Sequence, residues 1–214
     1  MTNNLDNWIT PKVDRRTREP KTKEVLKTEA LKRIVKNNKI HFIKAAALSD
    51  VCSKPHKNEQ YRIITEKQFN AFALILHLLE SEEIEELYLA VYRINEPTVT
   101  SFIDFIESGK IKKATFVISN FFNQTKKPEK WAIMLREFCV NNVNCEHVYT
   151  HTHAKVLAIR TESGNYYIFE GSGNMSDNAR IEQYIYENNQ EVYEFHKGWM
   201  SELIKDHCKG GLKS

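Results

Sequence analysis

Strand-like and helix-like segments alternate in the middle of this chain, and their order constrains the fold more than any other feature of the sequence. Apolar runs predict buried strands at 85–94 and 113–120. Between them, Pro97 and Gly109 occupy the positions expected just inside the start and just past the end of a helix. A strand, a helix and a second strand in this order favour neighbouring parallel strands. The sequence therefore predicts an α/β fold.

Helical periodicity continues on both sides of this unit. Thr65 and Gln68 have the form of a capping box and predict a helix that begins there. Pro128 predicts the start of another helix. The residues expected on the inward faces of these three helices are Phe69, Phe72, Ile75, Leu76, Leu79, Val99, Phe102, Phe105, Ile106, Trp131, Leu135 and Phe138.

The N-terminal region differs from the rest of the chain in charge. Between residues 11 and 44 there are 12 Lys and Arg against 4 Asp and Glu, which leaves the remainder slightly acidic. Such a basic segment suits a polyanionic partner such as nucleic acid, because binding releases counterions. An amphipathic helix whose charges only keep it soluble is the alternative, and the sequence leaves both open.

The length of 214 residues fits one domain with an appended arm. We expect a disordered arm at 1–20, a basic N-terminal extension at 21–60 and a single domain at 61–214. Within the extension, the pattern predicts a helix at 22–37 and a short strand at 39–45.

The composition indicates a cytoplasmic protein. No stretch approaches 18 uninterrupted apolar residues, and the N-terminus has no signal-peptide pattern, so no membrane partner is expected. The four cysteines are scattered and form no CxxC pair. Reduced thiols are therefore expected rather than a disulfide framework or a zinc site.

The C-terminal third is rich in extended segments. We expect strands at 147–160, 166–170 and 181–187, followed by a closing helix at 190–204. A turn at Ser163-Gly164-Asn165 would join the first two strands into a hairpin. In the closing helix, His196 is expected to be a structural histidine rather than a functional one.

The first of these segments carries an unusual set of side chains. On a strand, His147, Tyr149, His151, His153 and Lys155 would share one face. Burying a lysine without a partner is costly, so we expect an anionic ligand beside it. The histidines could instead hold zinc, although no downstream Asp or Cys cluster accompanies them.

A second polar motif follows the predicted hairpin. Gly171-Ser172-Gly173-Asn174 would emerge beside the histidine and lysine face. Glycine lets a backbone approach a ligand closely, and Ser and Asn offer donors that suit phosphate oxygens.

In this order, His153-Ala154-Lys155 and Gly171-Ser172-Gly173-Asn174 resemble the His-x-Lys and Gly-Ser-x-Asn motifs of the phospholipase D superfamily. The resemblance covers roughly residues 65–206. It implies a mixed β-sheet flanked by helices on both faces, an α-β-α sandwich with one motif per subunit. The chain departs from the family at Arg160, where an Asp is common, and in a longer spacing between the motif halves.

The resemblance also implies roles for the motif residues. His153 would be the nucleophile that forms a phosphohistidine intermediate. Lys155 and Asn174 would hold the non-bridging oxygens, and Ser172 would bind phosphate or orient a neighbour. Glu182, or secondarily Glu187, would be the carboxylate that fixes the tautomer of the nucleophile.

His151, Gly171 and Gly173 are expected to be substrate-binding residues. This scheme requires no metal and no cofactor.

Such chemistry needs a second histidine to protonate the leaving oxygen. Because the chain has one motif copy and no internal repeat, the resemblance implies a homodimer. The sequence thus predicts a metal-independent phosphodiesterase, a nuclease that cleaves DNA. The alternatives are a phospholipid-cleaving enzyme of the same family and a catalytically silent nucleic-acid-binding or scaffold protein with the same fold.

Overall fold

Eight strands form one mixed sheet in the part of the chain that the computed structural model describes, residues 38–42, 53–66, 70–123, 128–176 and 181–210. The strands are β1 (Asn38–Phe42), β2 (Gln60–Glu66), β3 (Ile84–Val91), β4 (Ala114–Ser119), β5 (Cys145–Thr150), β6 (Val156–Thr161), β7 (Tyr166–Gly171) and β8 (Ile181–Asn188). The helices are α1 (Phe72–Leu79), α2 (Glu96–Glu107), α3 (Lys130–Asn141) and α4 (Gln190–Gly210), with a short 3-10 helix at Asn120–Phe122.

The sheet order is β1-β2-β8-β7-β6-β3-β4-β5. β3, β4 and β5 are mutually parallel, and so are β1 and β2, while antiparallel pairs join the remaining neighbours. The predicted parallel pair connected by a helix is confirmed by β3, α2 and β4. The predicted hairpin is confirmed by β6 and β7, which pair antiparallel.

Helices cover both faces of the sheet, as predicted. Leu89 of β3 packs into a core with residues of α1, α2 and α3. The next residue, Ala90, faces the opposite side and packs with Met200 and Ile204 of α4. Leu89 is 1 % exposed and Ala90 is 0 % exposed, so β3 is buried on both faces. This two-sided burial explains why residues 87–91 of the strand are continuously apolar rather than alternating.

Local signals determine where α2 begins and ends. The side chain of Asn95 accepts a hydrogen bond from the backbone N–H of Thr98 at 3.1 Å, which caps the helix. Pro97 stands in the first turn, as predicted. Gly109, just past the end, has φ of +77°, a conformation that favours glycine.

The inward faces of α2 and α3 agree with the sequence. Val99, Phe102, Ile106, Trp131 and Leu135 are buried, and Phe105 and Phe138 are half-buried against the same core.

The predicted strand at 147–160 is wrong, because two strands occupy this region. β5 pairs with β4, and β6 pairs with β3 on its other side, so the chain must reverse between them. The backbone N–H of Thr152 donates to the carbonyl of Thr150 at 3.0 Å, which marks the bend. His153 and Lys155 therefore lie in the connection at 151–155 rather than on the face of a strand.

The predicted capping box at Thr65 is also wrong. Thr65 is a residue of β2 and pairs with Glu182 of β8. The helix begins later, at Phe72, whose backbone N–H donates to the side chain of Asn70 at 2.9 Å. The inward face also differs in part: Ile75 is buried as predicted, whereas Leu76 is 46 % exposed.

The expectation of reduced thiols is wrong for one pair of cysteines. Cys139 near the end of α3 and Cys145 at the start of β5 are linked by a disulfide, with their Cα atoms 4.7 Å apart. The short connection between α3 and β5 brings the two residues together, although their sequence spacing fits no familiar motif. Cys52 lies outside the described residues.

The predicted arm at 1–20 and helix at 22–37 lie outside the described residues. β1 confirms the predicted short strand over residues 39–42 and belongs to the same sheet as the strands that follow. None of the described helices is both long and apolar enough to cross a bilayer.

Arg160, where the chain departs from the motif that it resembles, belongs to a charged network at the end of β6. Its guanidinium lies 3.0 Å from the carboxylate of Glu85 and 3.2 Å from that of Glu86. Lys197 and Tyr193 of α4 also donate to Glu86, at 2.7 and 2.6 Å. Burial would raise the pKa of Glu86, but these donors and the positive charges outweigh it and lower the pKa to about 2.

We predict that Arg160→Asp lowers the free energy of unfolding by about 1–2 kcal/mol, because it removes two ion pairs and places a third carboxylate beside two others. Urea denaturation at neutral pH measures the change. Arg160→Lys, which keeps the charge, is the control and should lose less. A variant Arg160→Asp as stable as the wild type would contradict this account of the network.

Candidate active site

The connections that follow β3, β4 and β5 lie at one edge of the sheet, since parallel strands place their carboxyl ends together. The connection after β3 begins with Tyr92 and Arg93, and the one after β4 carries Phe121 and Phe122. The connection after β5 carries His153. The topology thus brings one of the predicted site residues beside aromatic and basic residues that the motifs did not indicate.

His153 and Lys155 contact each other directly. The Nζ of Lys155 lies 3.2 Å from Nδ1 of the His153 ring and 3.1 Å from the backbone carbonyl oxygen of His153. An ammonium group can only donate, so Nδ1 accepts this hydrogen bond. The proton of a neutral His153 is then on Nε2. His153 is exposed to solvent, and Lys155 is half-buried beneath it.

Tyr92 forms the floor under these two residues. Its ring centroid lies 4.8 Å from that of His153, and the Nζ of Lys155 lies 5.9 Å from the same ring. The distance to the ammonium is that of a cation–π contact. The sequence motifs did not identify Tyr92, although its place directly after a buried parallel strand is a signal that could have found it.

The Gly-Ser-x-Asn segment is fixed to the same edge. The side-chain oxygen of Asn174 accepts from the backbone N–H of Arg93 at 3.2 Å, and Met175 N–H donates to the carbonyl of Arg93 at 3.1 Å. With its oxygen engaged, the amide of Asn174 retains an NH₂ group that can donate to an anion. The backbone N–H of Gly171 donates to the carbonyl of Lys155 at 3.2 Å, which joins the two motif halves.

The sequence suggested that a glycine at position 171 allows a ligand to approach. In the structure, the neighbouring strand β8 is what requires a glycine there. A Cβ atom at this position would overlap the carbonyl oxygen of Gln183 and the ring of Tyr184. Gly173 is buried in the same segment.

Ser172 and Glu182 form a second contact across β7 and β8. The hydroxyl of Ser172 donates to the carboxylate of Glu182 and accepts from the backbone N–H of Gln183 at 3.1 Å. Of the two possibilities for Ser172, binding phosphate or orienting a neighbour, this geometry favours the second. Glu182 contacts Ser172 rather than His153 in the single chain.

Glu182 also acts on Lys155 through its charge. Burial lowers the pKa of the Lys155 ammonium, and the carboxylate of Glu182 partly opposes this by raising it. The net direction is a lowered pKa. A lysine in this state loses its proton at a lower pH than an ordinary lysine does.

Other predicted residues lie apart from this cluster. His151 is exposed in the bend after β5, and no hydrogen bond or ring contact within the described residues joins it to the others. Glu187 is buried towards the far end of β8, opposite Ile168 of β7. The described residues include no group of three or more His, Cys, Asp or Glu side chains that could hold a metal ion.

A buried histidine supports the Gly-Ser-x-Asn segment from behind. Nε2 of His196 in α4 is hydrogen-bonded to the carboxylate of Glu170, which directly precedes Gly171. The indole N–H of Trp199 donates to Nδ1 of His196 at 3.0 Å, so the proton of a neutral His196 is on Nε2 and points at Glu170. His196 is therefore a structural histidine, as predicted, and its partner Glu170 was not foreseen.

The cluster as a whole suits an anion with a reactive centre. Lys155 supplies a positive charge, and Asn174 supplies a neutral donor. His153 supplies an exposed ring nitrogen that can act as a nucleophile once its lone pair is released. Phosphate and its esters fit this set of groups.

We predict that Glu182→Gln lowers the pKa of Lys155 further. The amide keeps a hydrogen-bonding partner for Ser172 but removes the negative charge that raises this pKa. Titration of ¹³C-labelled lysine side chains by NMR measures the change. Glu107→Gln, an exposed residue at the end of α2, is the control. An unchanged or raised pKa of Lys155 in Glu182→Gln would contradict the assigned electrostatics.

No protein-family model and no curated protein sequence matches the chain. Solved structures do resemble it. A phospholipase D family member, Nuc from Salmonella typhimurium, is 13% identical, with 67% of this chain and 93% of that chain covered and a TM-score of 0.48.

Polyphosphate kinase from Porphyromonas gingivalis is 13% identical, with 69% of this chain and 26% of that chain covered and a TM-score of 0.49. Phosphatidylserine synthase from Haemophilus influenzae Rd KW20 is 16% identical, with 69% and 38% covered and a TM-score of 0.44. The chain is similar in structure to parts of these proteins, and its two motifs resemble those of the phospholipase D superfamily.

Proposed function

We propose that this chain is a metal-independent phosphodiesterase that cleaves DNA and acts as a homodimer. The observation that carries the proposal is the contact of the exposed His153 ring with the Lys155 ammonium, at the same edge of the sheet as the Asn174 amide, which is bonded to Arg93. A nucleophilic ring, a cation and a neutral donor at one edge are what phosphoryl transfer through a covalent intermediate requires.

Substrate binding would begin with Lys155. In the free chain its ammonium donates to Nδ1 of His153 and to a backbone carbonyl. The non-bridging oxygens of a phosphodiester are stronger acceptors for an ammonium because they are charged. Moving Lys155 onto the phosphate would release the ring nitrogen, so binding and activation of the nucleophile would be coupled.

The reaction would then proceed in two displacements. A ring nitrogen of His153 attacks phosphorus and forms a P–N bond, while the bond from phosphorus to the leaving oxygen breaks. The leaving oxygen takes a proton from a second histidine acting as general acid. Water then attacks the phosphohistidine and transfers a proton to the same second histidine, which regenerates both groups.

The supporting residues would hold this arrangement in place. The Asn174 amide would donate to a non-bridging oxygen, and its own oxygen is already fixed by Arg93. Ser172 would keep Glu182 close enough to maintain the positive charge of Lys155. His151, exposed at the rim, would contact substrate further from phosphorus.

The second histidine is the reason for proposing a dimer. Within the described residues, no other histidine contacts the ring of His153, and the chain carries one His-x-Lys motif. A second copy related by a two-fold axis would supply its own His153 as the acid. The exposure of His153 leaves room for such an approach.

Nucleic acid is favoured as substrate by charge. The segment at 11–44 carries 12 basic against 4 acidic residues, and Arg93 is exposed beside the site. Both features suit a polyanionic chain longer than a single phosphodiester.

We predict that the purified protein nicks supercoiled plasmid DNA in the presence of EDTA. We expect His153→Ala to lower the rate at least about a thousandfold, because it removes the nucleophile. His56→Ala, an exposed histidine in the loop before β2, is the matched control and should keep wild-type activity. Activity that needs a divalent metal, or equal activity of His153→Ala and the wild type, would refute the proposed chemistry.

Trapping and mass measurements test the two remaining parts of the proposal. Acid-quenched reactions should contain a phosphohistidine at His153, detected by mass spectrometry of the digested protein. Light scattering should give twice the mass of one chain. A strictly monomeric protein that cleaves DNA would refute the shared site, because its general acid would have to come from elsewhere.

A further inference from the structure

An exposed aromatic ring lies beside the candidate active site. Phe121 is 60% exposed, and the other large hydrophobic side chains that are comparably exposed in the described residues are aliphatic. It follows β4 directly, in the 3-10 helix at Asn120–Phe122. Its backbone N–H donates to the hydroxyl of buried Ser119 at 3.4 Å.

Phe121 and Phe122 have different surroundings. Phe122 packs inward, with its ring centroid 5.7 Å from that of Trp131 and 5.5 Å from that of Tyr92. Phe121 instead lies nearly parallel to Tyr92, with an interplanar angle of 29° and centroids 6.3 Å apart. The inward residue anchors the helix, and the neighbouring ring remains open to solvent.

Tyr92 connects this exposed ring to the nucleophile. The His153 ring lies 4.8 Å from the Tyr92 ring, and the Phe121 ring lies against the same tyrosine. One aromatic ring thus separates Phe121 from the proposed point of attack. A nucleotide attached to a phosphodiester at His153 could reach Phe121 with its base.

Positive charge surrounds these rings. The guanidinium of Arg93 lies 5.7 Å from the Phe122 ring, and the Lys155 ammonium lies 5.9 Å from the Tyr92 ring. A ligand here would meet flat aromatic faces and cations within a few ångströms of one another. Bases stacked on aromatic rings, with phosphates held by basic side chains, are how proteins bind single-stranded nucleic acid.

We infer that Phe121 and Tyr92 form a stacking site for an unpaired nucleobase next to the scissile phosphodiester, with Arg93 binding a neighbouring phosphate. This inference rests on the proposed function and specifies the substrate as single-stranded DNA or a locally unpaired strand. A base within a duplex is stacked on both faces by its neighbours. It would have to leave the helix to reach the Phe121 ring.

A lipid chain fits this surface less well. An acyl chain would gain from a continuous apolar groove, whereas Phe121 is a single exposed ring with Arg93 and Lys155 close by. The two occupants differ in what they require of residue 121. A base needs a flat aromatic face, and an acyl chain needs only apolar area.

Substitutions at Phe121 separate these requirements. The substrates are a single-stranded oligonucleotide, the matching duplex, and the same single strand with abasic positions on both sides of the cleaved bond. We expect Phe121→Ala and Phe121→Leu to lower kcat/KM on the intact single strand about tenfold to a hundredfold. Phe121→Trp should keep most of the activity. None of the three variants should change kcat/KM on the abasic strand, which has no base to stack at these positions.

Two outcomes would overturn the inference. If Phe121→Leu cleaved the intact strand as well as the wild type, apolar area rather than stacking would be what the ring supplies. If Phe121→Ala lowered cleavage of all three substrates by the same factor, the ring would support the site rather than bind a base. Leu76, on α1, is also an exposed apolar residue. Its variant Leu76→Ala is the control for nonspecific effects and should leave kcat/KM on all three substrates unchanged.

Binding measurements keep the test separate from the proposed chemistry. Fluorescence anisotropy with His153→Ala as the background measures affinity for the three oligonucleotides without cleavage. The wild type could cleave none of the substrates while Phe121→Ala still weakens binding of the intact strand about tenfold or more. In that case the proposed function fails and the stacking site stands. If Phe121→Ala leaves binding unchanged, the stacking site is refuted whether or not DNA is cleaved.

Discussion

The arrangement of this molecule depends on the burial of β3 on both faces. Leu89 packs against the core formed with α1, α2 and α3, and Ala90 packs against α4. β3 is an interior strand of the sheet; β4 pairs with it in parallel and β5 pairs in parallel with β4, so all three strands end at the same edge. Tyr92, Phe121 and His153 meet at that edge because each follows one of these strands.

Those parts of the fold that local chemistry determines could be predicted from the sequence. Pro97 and Gly109 bound α2 because proline and glycine restrict or permit particular backbone angles. The division between β5 and β6 could not be predicted in this way. Both segments are extended, and only pairing with different partners, β4 and β3, separates them. The capping box predicted at Thr65 is wrong for the same reason, since the pairing of Thr65 with Glu182 overrides a local capping pattern.

The candidate site divides similarly between local and long-range information. His153, Lys155, Ser172 and Asn174 were identified by motif, and Glu182 as the carboxylate expected after the second motif. The structure brings these residues to one edge. The supposed strand face was the wrong reason for placing His153 beside Lys155, because both residues lie in a connection. Tyr92, Arg93 and Phe121 belong to no motif. They become visible only when the parallel order of the strands is known.

The hydrogen bond from Lys155 to Nδ1 of His153 also bears on what else can react with this histidine. A lone pair that accepts from an ammonium is unavailable to a metal cation, which the same positive charge repels. Small electrophiles compete with the ammonium in the same way. A polyanion differs because it attracts the Lys155 ammonium away from Nδ1 of His153. Under the proposed function, the free protein would protect its nucleophile with the same group that recognises the anion, and selectivity for phosphate would precede any contact with phosphorus.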